Sequence, residues 1–437
     1  MTRTVLLTGA TGFVGKVVLE ELLRRREELG IERVLALVRS GSQQHAAARC
    51  RADIYTSACF SALPNGWNEI VEPLPGDITR PALGLEPLAR ARVAAEVTHV
   101  IHCAASVEFT LPLAQAFAVN TQGTLHALEI ARTCARLESY VGVSTAYVTP
   151  HPDPYGRSIH RVEEVLAALP RDPESLYASL CAGSEDEQRL LAQTGHPNTY
   201  TFTKCLAEHL TVRRARDLPV TIVRPSIVSA CRIHPVPGWI DSAAAFAAFV
   251  AMIGAGKLRV LNGDPDTLLD VIPCDAVSQQ IVAASFTPPP RGEPRIRHAV
   301  SGLSGALSMS LCRERIVGWF RDHPAGGHAR VDYLGRRGPA FRAVHALRHE
   351  LPARGAALWL ELQSRPQEAR AMRKLLERQR GINDDFAYFT HATLDFASSS
   401  PNGPALEPAQ YVATVCEGVS RHLMRRRPPR RAAAQVL

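Results

Sequence analysis

The sequence is short of lysine: of fifty basic residues only Lys16, Lys204, Lys257 and Lys374 are lysine. Arginine is the default cation here, so a retained lysine marks a position that calls for a compact ammonium. The ten cysteines have no C-x-x-C spacing, which excludes the usual thiolate zinc sites and a disulfide scaffold and points to a reducing compartment. The longest apolar run, residues 243–255, is closed by Asp241 and Lys257. It is shorter than the roughly 20 residues of a membrane span and reads as a buried helix. No charged leader with an apolar stretch precedes the first strand-like segment, so a cytoplasmic location is expected.

The 437 residues, 46% hydrophobic and 21% charged, describe an ordinary globular chain with room for a large α/β unit and a smaller appendage. The net charge of +8 does not imply nucleic acid, because the basic residues are dispersed along the chain. The exception is a terminal cluster of Arg425, Arg426, Arg427, Arg430 and Arg431. It reads as a solvated tail, with weak peripheral contact to anionic lipid or a carrier protein as the alternative.

Short apolar runs alternate with amphipathic stretches from residue 4 to 140, the pattern of a doubly wound parallel sheet. The spacing predicts strands over Thr4–Leu7, Arg33–Val38, Ile70–Leu74, Thr98–His102, Tyr140–Ser144 and Val220–Val223. It predicts helices over Gly12–Leu29, Leu88–Glu96, Leu113–Arg136 and 199–215, and one near Arg161–Ala168. The expected division is a dinucleotide-binding Rossmann domain over 1–300, carrying an insertion at 150–197 and a substrate segment at 230–265, and a helical region over 301–437. The proline-rich stretch Thr287–Pro294 is the boundary candidate.

The first strand runs into Gly9, Thr11, Gly12, Phe13, Val14 and Gly15 before opening a helix. Glycines at such a turn admit a pyrophosphate to the backbone N–H groups and the helix dipole. The second strand ends in Arg39 where an acidic residue would select NAD, so the expected cofactor is NADPH. Asp77 and Ile78 follow the third strand, and Ala104 and Ala105 follow the fourth; small residues there leave room for a ring or ribose. After the fifth strand come Ser144 and Thr145, and downstream Tyr200 and Lys204 stand four apart on a predicted helix. That spacing puts phenol and ammonium on one face, where the cation is expected to lower the phenol pKa and make it a general acid for a carbonyl oxygen. Nine tyrosines and four lysines give a chance expectation for Tyr-x-x-x-Lys of about 0.08, so the pair is informative.

These features resemble an extended short-chain dehydrogenase/reductase, and within it the fatty acyl-CoA reductase and thioester reductase group. The supporting phrases are Thr8–Lys16 (TGATGFVGK), Val143–Val148 (VSTAYV), Asn198–Leu206 (NTYTFTKCL), Val223–Val228 (VRPSIV), Pro237–Asp241 (PGWID) and Asp270–Asp275 (DVIPCD). The resemblance implies Tyr200 as proton donor, Lys204 on the nicotinamide ribose, and Thr145 or Ser144 on the substrate carbonyl. It places Pro225, Ser226 and Ile227 beside the carboxamide, and Asn120 as a structural or relay residue. The implied substrate is an acyl-CoA or acyl-carrier-protein thioester, reduced to the aldehyde; onward reduction to the primary alcohol stays open. The groove for it is expected from 150–197, 235–265 and the C-terminal helices.

Rival readings are a hydrolase, from the partial nucleophile elbow at Gly142–Ala146, a sugar-nucleotide or hydroxysteroid enzyme on the same fold, and a non-enzymatic NADP sensor. No metal site is expected; His345 and His349, four apart, read as solvated surface histidines.

Overall fold

The structure, a computed structural model, describes residues 2–215, 217–325, 327–399 and 406–424. The arginine cluster between 425 and 431 lies outside the described residues.

Seven strands form one parallel sheet: β1 (Arg3–Thr8), β2 (Ile31–Arg39), β3 (Val71–Gly76), β4 (His99–His102), β5 (Ser139–Val143), β6 (Val220–Pro225) and β7 (Arg295–Ala299). Their order is β7-β6-β5-β4-β1-β2-β3, which reverses direction between β1 and β4. A crevice opens at such a reversal, beyond the C-terminal ends of the strands. β1, β4, β5 and β6 are almost wholly buried because helices cover both faces, hence the apolar residues at their centres; the polar side chains they do carry, such as His99, His102 and Arg224, are buried with them. β3 carries Pro73 and Pro75, which an edge strand tolerates because it pairs on one side only.

Two helices, α1 (Phe13–Arg24) and, later in the chain, Cys274–Phe286, pack together on one face. The other face is covered by α2 (Pro87–Glu96), α3 (Gly123–Thr133) and α4 (Thr199–Arg214). α4 begins where Asn198 caps it, its side-chain oxygen accepting from the Thr201 N–H at 2.9 Å. The helix Cys274–Phe286 on the sheet is α6; beyond the sheet lie α5 (Ala245–Gly254), α7 (Met309–Asp322), α8 (Leu351–Leu362), α9 (Pro366–Asp385) and α10 (Pro408–Gly418). α5, α7 and α10 share a second apolar core.

Three expectations fail. No helix forms over 161–168: Ile159–Val162 is a strand paired in parallel with Thr393–Phe396, and the helices of the insertion are Pro173–Cys181 and Glu187–Thr194. The partner strand lies more than two hundred residues away, out of reach of a local pattern. The proline-rich stretch 287–294 does not close the sheet, since β7 follows it and pairs with β6. His345 and His349 are buried rather than solvated. His349 accepts from the Arg259 N–H at 3.0 Å, and burial pushes its imidazole down to about 4.

Candidate active site

A cavity of about 560 Å3 runs from the glycine turn after β1, across the ends of β4, β5 and β6, to α5 and α9. Gly9, Gly12, Phe13, Val14 and Gly15 line one end, and Ala105, Ser144, Thr145, Tyr200, Lys204, Pro225, Ser226 and Ile227 line its middle.

Two glycines make the turn possible. Gly9 has φ +78° and lies against the Ala104 backbone, where a Cβ would come within 2.7 Å of the Ala104 nitrogen. A Cβ on Gly15 would overlap the Gly9 carbonyl. No side chain caps α1 and no acidic residue occupies its first turn, so its free N–H groups face the crevice with their dipole unopposed. This donor set fits a pyrophosphate. The turn is buttressed from behind: Phe13 and Trp239 rings lie 5.6 Å apart, and Lys16 donates to Asp241 at 2.5 Å.

Tyr200 and Lys204 share the face of α4 turned toward the end of β5. Lys204 Nζ donates to the Val143 carbonyl at 2.7 Å. Burial holds its pKa down to about 8, with charge on Cys103 and Glu208 opposing the shift. The Tyr200 phenol is pushed up to about 12 by burial, partly offset by its hydrogen bond with the Thr145 hydroxyl. The lowering expected from the lysine does not occur: the ammonium is held on the Val143 carbonyl, and desolvation of the phenolate dominates. Tyr200 is therefore a phenol throughout the physiological range, the form that can donate.

The two candidate hydroxyls differ in setting. Thr145 Oγ1 meets Tyr200 and accepts from the Tyr147 N–H at 3.3 Å, which fixes its lone pairs. Ser144 Oγ is buried without a partner among the described residues. Ser226 lines the cavity, but its hydroxyl donates to the buried Asp270 at 2.6 Å.

The other expected residues stand outside the cavity wall. Arg39 is exposed at the end of β2, in register with Gly76, and among the described residues its guanidinium pairs with no carboxylate. Asp77 Oδ1 accepts from the Thr79 N–H and hydroxyl at 2.9 and 2.8 Å, a local turn. Ile78 packs against Gly123 at the start of α3, while Thr11 and Ala104 sit half-buried in their turns. Asn120 is buried: its amide accepts from the Ser106 N–H at 2.9 Å and donates to the Ser106 carbonyl and the Thr203 hydroxyl, both at 3.2 Å, tying the β4 turn to α4.

Beyond Tyr200 the cavity is aromatic. Phe109 lies 5.9 Å from Tyr200, 5.3 Å from Phe389 and 5.4 Å from Phe386, and Phe249 of α5 lies 5.4 Å from Phe386. Sequence reasoning missed Phe109, which sits in an irregular loop with no periodicity. The segment 235–265 and α9 contribute walls as expected, but no residue of 150–197 does.

The fold and this site define an extended short-chain dehydrogenase/reductase, a nicotinamide-dinucleotide-binding class. A family model described as "Male sterility protein" matches residues 7–281, well over half of the chain, and the chain belongs to that family. It is similar to the fatty acyl-CoA reductase wat of Drosophila melanogaster, 33% identical over 292 residues, covering 65% of this chain and 54% of that protein. The same identity and coverage relate it to fatty acyl-CoA reductase 1 of Gallus gallus. The chain thus spans about half the length of these relatives. Among solved structures, the terminal R domain of the myxalamid PKS-NRPS pathway superposes with a TM-score of 0.65 at 24% identity, covering 96% of this chain and 91% of that one. Among the described residues no group of three or more His, Cys, Asp or Glu side chains could hold a metal ion, and no helix is long and apolar enough to cross a membrane.

Proposed function

We propose that the chain is an NADPH-dependent reductase of acyl thioesters, carried on coenzyme A or a carrier protein, that forms the aldehyde. The observation that carries this reading is the meeting of Thr145, Tyr200 and Lys204 on the floor of a cavity that joins an anion-binding glycine turn to an aromatic wall. Bound NADPH supplies a hydride to the thioester carbonyl. Tyr200 hydrogen-bonds the developing oxyanion and gives it a proton, Thr145 holds the same oxygen, and Lys204 binds the nicotinamide ribose; the resulting hemithioacetal collapses, its hydroxyl proton leaving as the C–S bond breaks, to the aldehyde and the free thiol. Phe109, Phe386 and Phe389 exclude water and receive the acyl group. That apolar wall supports an acyl substrate over a sugar nucleotide, whose hydroxyls would be left without partners.

Arg39, exposed at the end of the strand next to β1 and without a carboxylate partner among the described residues, supports NADPH over NADH by pairing with a 2′-phosphate. The test is to supply acyl-CoA and carrier-bound thioesters with either dinucleotide and follow absorbance, free thiol and product. Thiol release in step with NADPH oxidation is expected, one NADPH per thiol giving aldehyde and two giving alcohol. Arg39→Ala should raise KM for NADPH by about 10–100-fold and leave KM for NADH unchanged. An absence of thiol release with every thioester would return the site to a dehydrogenase acting on a free carbonyl or alcohol.

Lys204 also sets a pH limb. Its ammonium is charged below about 8 and neutral above, whereas the phenol near 12 stays protonated through that range. The expected result is a kcat/KM for the dinucleotide that falls about tenfold per pH unit above that point. In Lys204→Arg, whose guanidinium does not titrate, whatever rate remains should lack the limb.

A further inference from the structure

Four charged side chains line the cavity: Lys204 on its floor, Glu108 beside Phe109, and Asp385 and Arg378 on α9. Arg378, Ile382 and Phe386 follow one another at four-residue intervals, so they share the face of α9 and its continuation that forms the wall. The inner end of that stripe is fixed by contact, because the Phe386 ring lies 5.4 Å from Phe109, which in turn lies 5.9 Å from Tyr200. Arg378 therefore stands about 12 Å of helix farther out, at an exposed position on the rim.

Its guanidinium is uncommitted. Arg373 and Arg380, on the sides of α9 turned away from the cavity, pair with Glu361 and Glu350. No carboxylate among the described residues pairs with Arg378, and the positions one turn away, Lys374, Leu375, Gly381 and Ile382, hold no acid. Farther in, the sign reverses: Glu108 and Asp385 lie at the depth of the aromatic wall, next to Phe109 and Phe386. A ligand that suits this order keeps its negative charge away from the reacting carbonyl and offers neutral N–H and O–H donors in between. With the dinucleotide at the far end, the bulk of a coenzyme or carrier protein stays outside, and the arm that bears the thioester crosses the rim. On either carrier that arm is a neutral chain with amide N–H groups and a hydroxyl, and it ends in a phosphate.

Building on the thioester reading, we propose that Arg378 selects the carrier arm, its guanidinium pairing with the phosphate at the outer end of a phosphopantetheine chain. Coenzyme A and a carrier protein both present that phosphate. The planar fork can take two phosphate oxygens at once, which an ammonium cannot. The contact is remote from the reacting carbon and equal in ground and transition states, so it acts on KM rather than kcat.

The test compares thioesters of one acyl group on coenzyme A, a phosphopantetheinylated carrier protein, 4′-phosphopantetheine and pantetheine. The parent is expected to favour 4′-phosphopantetheine over pantetheine by about 10–100-fold in kcat/KM, through KM. In Arg378→Gln that preference should shrink to within about threefold, with KM for NADPH and the thermal transition unmoved, and Arg378→Lys should keep part of it. Whichever of the coenzyme A and carrier-protein thioesters the parent uses faster, and loses by the same factor in Arg378→Gln, identifies the source of the phosphate. Titration of 4′-phosphopantetheine and pantetheine onto the chain with NADP+ bound reads the contact without turnover. No thiol release from any thioester would count against the thioester reading alone. No advantage of the phosphate in the titration, or an advantage that Arg378→Gln keeps in full, would overturn the role of Arg378.

Discussion

Tyr200→Phe is expected to lower thioester turnover by about 10²–10⁴-fold while the dinucleotide Kd stays within about threefold. The substitution removes one oxygen and leaves the ring that packs near Phe109. The neighbours are poor substitutes. Lys204 points its ammonium at the Val143 carbonyl at 2.7 Å, with its other N–H groups assigned to the nicotinamide ribose, and burial pushes the Cys103 thiol up to about 12. Thr145 can hold an oxyanion, but its hydroxyl is far too weak an acid to protonate one. Single-turnover kinetics with the dinucleotide already bound separate this loss from a binding defect. Turnover within a few fold of the parent would place the acid elsewhere and remove the basis of the assignment.

Glu208→Gln is expected to destabilise the fold by about 3–5 kcal/mol, read as a lower urea midpoint. Glu208 stands one turn beyond Lys204 on α4, and its carboxylate takes the Arg224 Nε at 2.9 Å and Nη2 at 2.6 Å. Both side chains are inaccessible, 0% exposed for Arg224 and 3% for Glu208. Arg224 Nη2 also donates to the Val165 carbonyl at 2.8 Å, so one guanidinium ties α4, β6 and the insertion together. The amide cannot neutralise that charge, and an unpaired guanidinium would be left out of reach of water. Replacing both partners, by Glu208→Leu with Arg224→Met, should cost much less than Glu208→Gln alone, because no charge then remains buried. Equal losses in the two variants would mean that lost packing, rather than an orphaned ion, sets the cost.

The parts of this molecule legible in the sequence are those in which chemistry or burial repeats locally. β1 and its glycine turn announce themselves because a strand covered on both faces has no polar residues to interrupt it, and because only glycine fits where Gly9 meets Ala104. Tyr200 and Lys204 are legible because helical spacing alone brings them to one face. Their electrostatics are not: the Val143 carbonyl that captures the ammonium belongs to a strand sixty residues earlier. The same limit hid the strand Ile159–Val162, whose reason for being a strand is Thr393–Phe396. Phe109, in a loop between β4 and the next helix, acquires meaning only when Phe386 and Phe389 arrive from the far end of the chain.

That late pairing has a bearing on how such a protein can be re-engineered. The strand at 393–396 clasps the insertion, whose Val165 carbonyl is held by the guanidinium that anchors α4. A graft of α9 and the residues after it from another reductase would therefore exchange more than the acyl-facing wall. It would also replace one leaf of a clasp whose other leaf belongs to the recipient. Chimeras should keep residues 159–162 and 393–396 from the same parent, so that the seam falls where no backbone hydrogen bonds cross it.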